Sequence, residues 1–531
     1  MGDAIPTQNV YSIREDARAL LRSPAMAMHR RRWRSASLIC LSVAIAVAVV
    51  APSSAVAGSR DPTTSAAPGG LPSAPAPSPI AWVPCPGGGG YQCGSVSVPL
   101  DYRHPSRSSL TIAVMRAQPV GTTAPTATLF VNPGGPGESG NQILPVIAGL
   151  LPAAIRRHFD IVSFDPRGTG ASAPLRCGTS PSAVSSVLPV PAKAGQPLPG
   201  TGVFTAMARA CQRRAAALEP FVSTTATARD MDRVRQALGV ATISYYGLSY
   251  GTVLGSEYAA LFPHRIKYMV LDGAVDVDAS LSTQAIEQAP AIERSLDHLL
   301  ATCAGSTCPL GAEPVSFFRS LARSLARSPL GDPGGADPFP VTVGDLDTAT
   351  LFALSVPGFA PSYYSALVAA RTGDGAPLRA MALELNTDLD GSPLVDAQWA
   401  ITCNDARGHP GPLAAGSLAR SLAHRYPLIG AYAVTYNLGG CVAWPAARQP
   451  VAPLRADGAP PILVIGTTGD PNTPLIGAEH LARALPGARL LTWHGWGHTW
   501  LLSGSGDHCM QTAVTGYLSG GVLPSRGDVC Q

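Results

Sequence analysis

From residue 95 onward the chain is punctuated by short β-branched runs that end in Gly- or Asp-containing turns. The runs "SVSVPLDY" (95–102) and "SLTIAVMRA" (109–117) alternate apolar and polar positions, the period of a strand with one buried face, and predict an opening antiparallel pair. "ATLFVNPGGPG", "FDIVSFDPRGTG", "TISYYGLSYG" and "IKYMVLDGAVD" are more continuously apolar, as strands covered on both faces are. Helical stretches separate them, such as "ATARDMDRVRQALG" (226–239), which closes on Gly239. Late in the chain "PPILVIGTTGD" (460–470) and "ARLLTWHGWGH" (488–498) resume the strand-then-turn order. Strands alternating with helices predict an α/β fold with a mostly parallel central sheet.

The stretch 279–455 differs. Its segments "AIERSLDHLLATC", "VSFFRSLARSLARS" and "PSYYSALVAARTG" carry helical spacing, and they precede the last two predicted strands. An insertion that late lies over the carboxyl ends of parallel strands, where ligands bind, and reads as a helical cap. The predicted division is a leader (1–57), a Pro/Ala/Ser-rich linker (58–84), a first core part (85–278), the cap (279–455) and a C-terminal core part (456–531).

The leader is read from "RRRWR" (30–34), the apolar run 35–50 and small residues at Ala55 and Ala57, the layout of a secretory signal cleaved after Ala57. The alternative is an uncleaved membrane anchor, the one membrane association expected. Seven arginines and three acids before residue 58 account for the whole net charge of +4. The remaining chain is formally neutral, which excludes nucleic acid as an expected partner. At 46% hydrophobic residues the chain can fill a large core.

Export predicts an oxidising compartment. Of eleven cysteines, Cys40 falls in the leader. The other ten, Cys85, Cys93, Cys177, Cys211, Cys303, Cys308, Cys403, Cys441, Cys509 and Cys530, are disulfide candidates. Connectivity stays open; the nearest-neighbour scheme pairs them in that order. No C-x-x-C pair occurs, so no metal is expected, and no cofactor.

Ser249, in "YYGLSYG", lies between a predicted strand and a predicted helix, with Gly247 and Gly251 flanking it. A serine in that turn is the nucleophile of a known class of hydrolytic sites. A hydroxyl needs a base. His498 in "WHGWGHTW" follows the last strand in a Gly-rich loop; its rival His494 sits nearer the strand and reads as a packed neighbour. Asp470 follows the preceding strand and orients the imidazole, with Asp272 at the end of "YMVLDG" as the rival acid. The oxyanion donors expected are the backbone N–H groups of Tyr250 and Gly135, failing which Gly134. Asp165 and Arg167 in "FDPRG" read as a buried ion pair beneath the site.

Seven motifs, "NPGGPGESG", "FDPRGTGAS", "YYGLSYGTVLG", "VLDGAVD", "AITCND", "GTTGDPNTP" and "GWGHTW", resemble those of secreted tripeptidyl aminopeptidase-like serine peptidases of the α/β-hydrolase fold, kin to proline iminopeptidases. The resemblance spans roughly 82–531. It implies Ser249, Asp470 and His498 as catalytic residues, an oxyanion hole at Gly135 and Tyr250, a helical cap, and release of short peptides from free N-termini. Such an enzyme needs a carboxylate for the substrate's α-ammonium, for which Glu138, Glu384 and Asp405 are candidates. The alternatives are a secreted carboxylesterase or lipase with the same triad, and a catalytically silent cell-surface binding module. Oligomeric state stays open.

Overall fold

The computed structural model describes residues 74–119, 127–191, 193–303, 307–331, 337–445, 450–503 and 506–531. The predicted leader and most of the linker lie outside the described residues.

Among the described residues, ten strands form one sheet: β1 (Val83–Pro84), β2 (Tyr91–Pro99), β3 (Ser109–Ala117), β4 (Ala127–Asn132), β5 (Phe159–Phe164), β6 (Ile243–Leu248), β7 (Ile266–Asp272), β8 (Leu463–Gly469), β9 (Arg489–Trp496) and β10 (Val529–Cys530). Their order is β1-β2-β3-β5-β4-β6-β7-β8-β9-β10. The β2–β3 pair is antiparallel in continuous register from Tyr91↔Ala117 to Pro99↔Ser109. From β5 across to β10 every neighbouring pair is parallel. β4 therefore lies between β5, which follows it, and β6, which comes next: the chain reverses its direction of travel there. Ligand sites of open α/β sheets form outside the carboxyl ends at such a reversal.

Alternation along each central strand splits the core into two layers. Leu129, Val131, Ile161, Tyr246, Leu248, Val270 and Ile465 face one side, with the helices Gly140–Leu150 and His508–Gly520. Phe130, Val162, Phe164, Tyr245, Met269, Leu271 and Val464 face the other, with Thr224–Ala237, Tyr250–Leu261 and Leu475–Ala484. Burial on both faces is why these runs read as continuously apolar.

Between β7 and β8 run helices from Leu281–Thr302 to Tyr432–Leu438, around an apolar core of their own. That core also takes in Leu175, Val187, Leu198, Phe204, Met207 and Val222, which lie between β5 and β6, in the stretch read from sequence as the sheet's own. The Asp396 carboxylate clamps the two segments by accepting from the N–H groups of Cys177 and Gly178 at 2.7 and 3.1 Å. A short amphipathic helix such as Thr201–Arg214 has no sheet face left to cover, so it buries its apolar side against the other helices.

The linker also ends earlier than residue 84. Ile80 is buried, and Val83–Pro84 pairs with β2. Gly94 makes room for it, because a Cβ there would sit 2.3 Å from Ile80 Cγ2. The cysteines pair as 85–93, 177–211, 303–308, 403–441 and 509–530. Among the described residues, no helix is long and apolar enough to cross a membrane.

Candidate active site

Ser249 caps the helix Tyr250–Leu261 with φ 55° and ψ −124°, a left-handed φ that side chains adopt only under constraint. The constraint is visible on every side. The Ser249 N–H donates to the Asp272 carbonyl at 2.9 Å, and the Ser249 carbonyl accepts from Thr252 Oγ1 at 2.7 Å. A Cβ on Gly247 would lie 2.3 Å from the Gly251 carbonyl oxygen, so the turn closes only around glycine.

The loop after β4 presses against this turn. A Cβ on Gly134 would meet Ser249 Cβ at 2.9 Å and the Tyr250 nitrogen at 3.2 Å. Gly134 spends its N–H on Asn132 Oδ1 at 3.1 Å.

His498 follows β9, 7% exposed. Its Nδ1 lies 2.9 and 3.0 Å from the two carboxylate oxygens of Asp470, and its N–H donates to the Ser355 carbonyl at 2.8 Å. Asp470 accepts further from the N–H groups of Asn472, Thr473 and Thr499 and from Thr473 Oγ1, at 2.8–3.1 Å. Five donors around one buried carboxylate leave it a single orientation. The imidazole is thereby held with Nδ1–H toward the acid and Nε2 available as a base, the tautomer that activates a hydroxyl.

Asp272, the rival acid, is wholly buried and does something else. Its carboxylate accepts from the N–H groups of Trp500 and Leu501 at 3.0 and 3.1 Å and from the Tyr246 hydroxyl at 2.9 Å. Burial pushes its pKa up to about 6, against those bonds and the nearby His498. Through its carbonyl and carboxylate, Asp272 ties the Ser249 turn to the segment just after His498.

Four sequence readings need correction. His494 is exposed rather than packed, because alternation on β9 turns Trp493 into the core and His494 away from it. Arg167 pairs with Asp230 rather than with Asp165, at 2.6 and 2.7 Å, and also donates to the carbonyls of Pro99, Leu100 and Phe221. Asp165 instead accepts from Ser139 Oγ and the N–H groups of Asn141 and Ala171, which holds the base of the loop after β4. Glu384 closes the helix Ala376–Leu383 and does not line the cavity at Ser249. Glu138 is outside that lining too; its charge, with that of Asp470, acts on Tyr436, whose hydroxyl burial pushes up to about 12.

The cavity at Ser249 encloses about 320 Å³, at the low end for small-ligand sites. Gly135, Tyr250, Trp399 and Tyr436 line it, with four acids: Asp276, Asp278, Glu287 and Asp405. Asp405 accepts from the N–H and hydroxyl of Thr224 at 2.9 and 2.6 Å, and Thr224 Oγ1 in turn meets the Tyr250 hydroxyl. Burial pushes Asp405 up to about 7. The sequence reading passes over Asp276, although "LDGAVDVD" sets two acids just past the carboxyl end of a central strand.

The family model described as "TAP-like protein" matches residues 426–530. Serine protease Hip1 of Mycobacterium tuberculosis is 32% identical over 484 residues, covering 85% of this chain and 91% of that one. The chain belongs to the TAP-like serine peptidases of the α/β-hydrolase fold. It is a serine hydrolase. Carboxylesterase B of M. tuberculosis is 33% identical over 473 residues (83% of this chain, 86% of that one), and tripeptidyl aminopeptidase of Streptomyces lividans is 29% identical over 462 residues (83% of each). The TAP-like match covers Asp470 and His498 together with the last two central strands, β8 and β9.

Proposed function

We propose that this TAP-like hydrolase is an exported aminopeptidase that releases short peptides, of tripeptidyl type, from free N-termini. Ser249 Oγ attacks the scissile carbonyl carbon and passes its proton to His498 Nε2, while Asp470 stabilises the imidazolium. The N–H groups of Tyr250 and Gly135 hold the oxyanion; Gly134 has spent its own on Asn132. Each such donor contributes about 10²–10³ in rate. His498 then protonates the leaving amine, and water releases the acyl group from Ser249 by the same path in reverse. The helices between residues 279 and 455 act as the cap over this site.

The observation that carries the peptide reading is the acidic lining of the cavity. Arg407 answers Asp278, and burial raises Asp405 to about 7, so Asp276 and Glu287 are the two acids of that lining whose charge suits a cationic peptide end. The relative named tripeptidyl aminopeptidase supports the same reading. Export is supported by the leader-like residues 1–57 and by five disulfides.

The test is Ser249→Ala on a peptide with a free N-terminus, with products identified by mass spectrometry. Loss of tripeptide release supports the reading, and undiminished release sinks it. An esterase reading is favoured by the relative named Carboxylesterase B; wild-type enzyme that turns over p-nitrophenyl acyl esters and no peptide would establish it instead.

A further inference from the structure

The loop that leaves β7 and the helix Leu281–Thr302 after it set three acids in the wall of the Ser249 cavity, and their situations differ. Asp278 is matched by Arg407 at 2.6 Å. Asp276 spends Oδ1 on the N–H groups of Asp278 and Ala279 at 3.0 and 3.2 Å, which fixes its carboxylate. Its Oδ2 lies 2.7 Å from His480 Nδ1, and Glu287 Oε1 lies 4.0 Å from that same nitrogen. One ligand atom from each of Asp276, Glu287 and His480 falls within 4.8 Å of the others. Among the described residues, no arginine or lysine forms an ion pair with Asp276 or Glu287.

This group is fixed relative to the nucleophile. The Val275 N–H donates to Thr252 Oγ1 at 3.1 Å, and Thr252 Oγ1 donates to the Ser249 carbonyl. Asp276 is the next residue. Trp399 supplies a second, independent observation. It lines the same cavity at 4% exposure, and its indole Nε1 is buried with no hydrogen-bond partner. Indole offers only a donor, and among the described residues no acceptor meets that nitrogen.

Resting on the peptidase reading above, we propose that Asp276 and Glu287 hold the free α-ammonium of the substrate's first residue, while Trp399 Nε1–H donates to a backbone carbonyl of the same peptide. An ammonium carries three donors and a full charge, which answer two carboxylates that lack a strong cation. Three extended residues span about 10 Å. A wall that holds the ammonium at that reach would turn the cavity into a measure of peptide length, with no place for a blocked or longer N-terminus. Acyl chains have nothing to offer either group.

The experiment compares kcat/KM for a tripeptide p-nitroanilide with a free amine and for its N-acetyl counterpart. Wild type prefers the free form. In Glu287→Gln, and further in Asp276→Asn/Glu287→Gln, that preference falls about tenfold to a hundredfold, chiefly through KM. Trp399→Phe lowers kcat/KM for both peptides and leaves the preference as it was. Variants that still cleave with the wild-type preference overturn the inference and spare the peptidase reading. A wild type that cleaves both forms equally overturns both. Zinc bound by wild type and lost in Asp276→Asn, with the preference intact, reassigns the trio to a metal and overturns the inference. Should the double variant fail to fold, Glu287→Gln decides: a free tripeptide amide inhibits wild type at least tenfold better than its N-acetyl form, that margin shrinks in Glu287→Gln, and an unchanged margin overturns the inference.

Discussion

Asp272 ends β7, Asp470 directly follows the neighbouring β8, and the two grip successive residues of one loop. Asp470 takes the His498 ring and the Thr499 N–H; Asp272 takes the N–H groups of Trp500 and Leu501. One acid orients the imidazole. The other fixes the backbone that carries it and, through its carbonyl, the N–H of Ser249.

The two acids should therefore fail differently. Asp470→Asn leaves the backbone contacts largely in place but removes the charge that opposes the imidazolium, and kcat is expected to fall by about 10³–10⁴. Asp272→Asn loses one acceptor and loosens the loop, for an expected kcat loss of about tenfold. Stopped-flow acylation measured on both variants separates them.

Gly134 is a sterically forced glycine. Gly134→Ala sets a methyl 2.8 Å from the Leu248 carbonyl oxygen and 2.9 Å from Ser249 Cβ, so the loop after β4 must retreat from the turn. The expected outcome is at least a hundredfold loss in kcat, from the displaced oxyanion donor, with far-UV circular dichroism unchanged.

Thermal stability should decline as pH rises from about 4 to about 8. Burial raises the folded-state pKa of Asp272 to about 6, of Asp405 to about 7 and of Asp388 to about 8, all above the ordinary carboxylate value. Between the unfolded and folded values the native state binds the extra proton, so stability is complete below pH 4 for these groups and is lost as pH climbs through 6 to 8. Asp388→Asn keeps an acceptor for the Ser139 N–H and should flatten the slope between about pH 4 and pH 8. Calorimetry across that range checks the sign.

The Cys403–Cys441 bridge joins the helix Val395–Asp405 to the turn at residues 439–443, across 38 residues. Replacing both cysteines with serine should cost about 3–4 kcal/mol in the chain-entropy account, read as a lowered melting temperature.

What the sequence discloses is what lies within one run of residues. The strand before Ser249, the glycines around it and the Gly-rich loop at His498 each carry their signal locally. Partner choice across the fold leaves no such mark. Arg167 sits two residues from Asp165, yet it reaches Asp230, 63 positions on, because the helix Thr224–Ala237 brings that carboxylate over it. Residues 175–222 read as part of the core because nothing in their spacing says which apolar surface they will meet. Asp276 and Glu287 look like surface acids until Thr252 ties the loop of Asp276, and with it the start of the helix Leu281–Thr302, to the Ser249 turn.

The five bridges follow a simple rule: each cysteine is joined to the next one along the described chain, and no ring encloses or crosses another. A polypeptide that meets an oxidant end first can then close each link as soon as its second thiol arrives. For a chain exported as proposed above, such a pattern would leave fewer bridges to rearrange than a nested one.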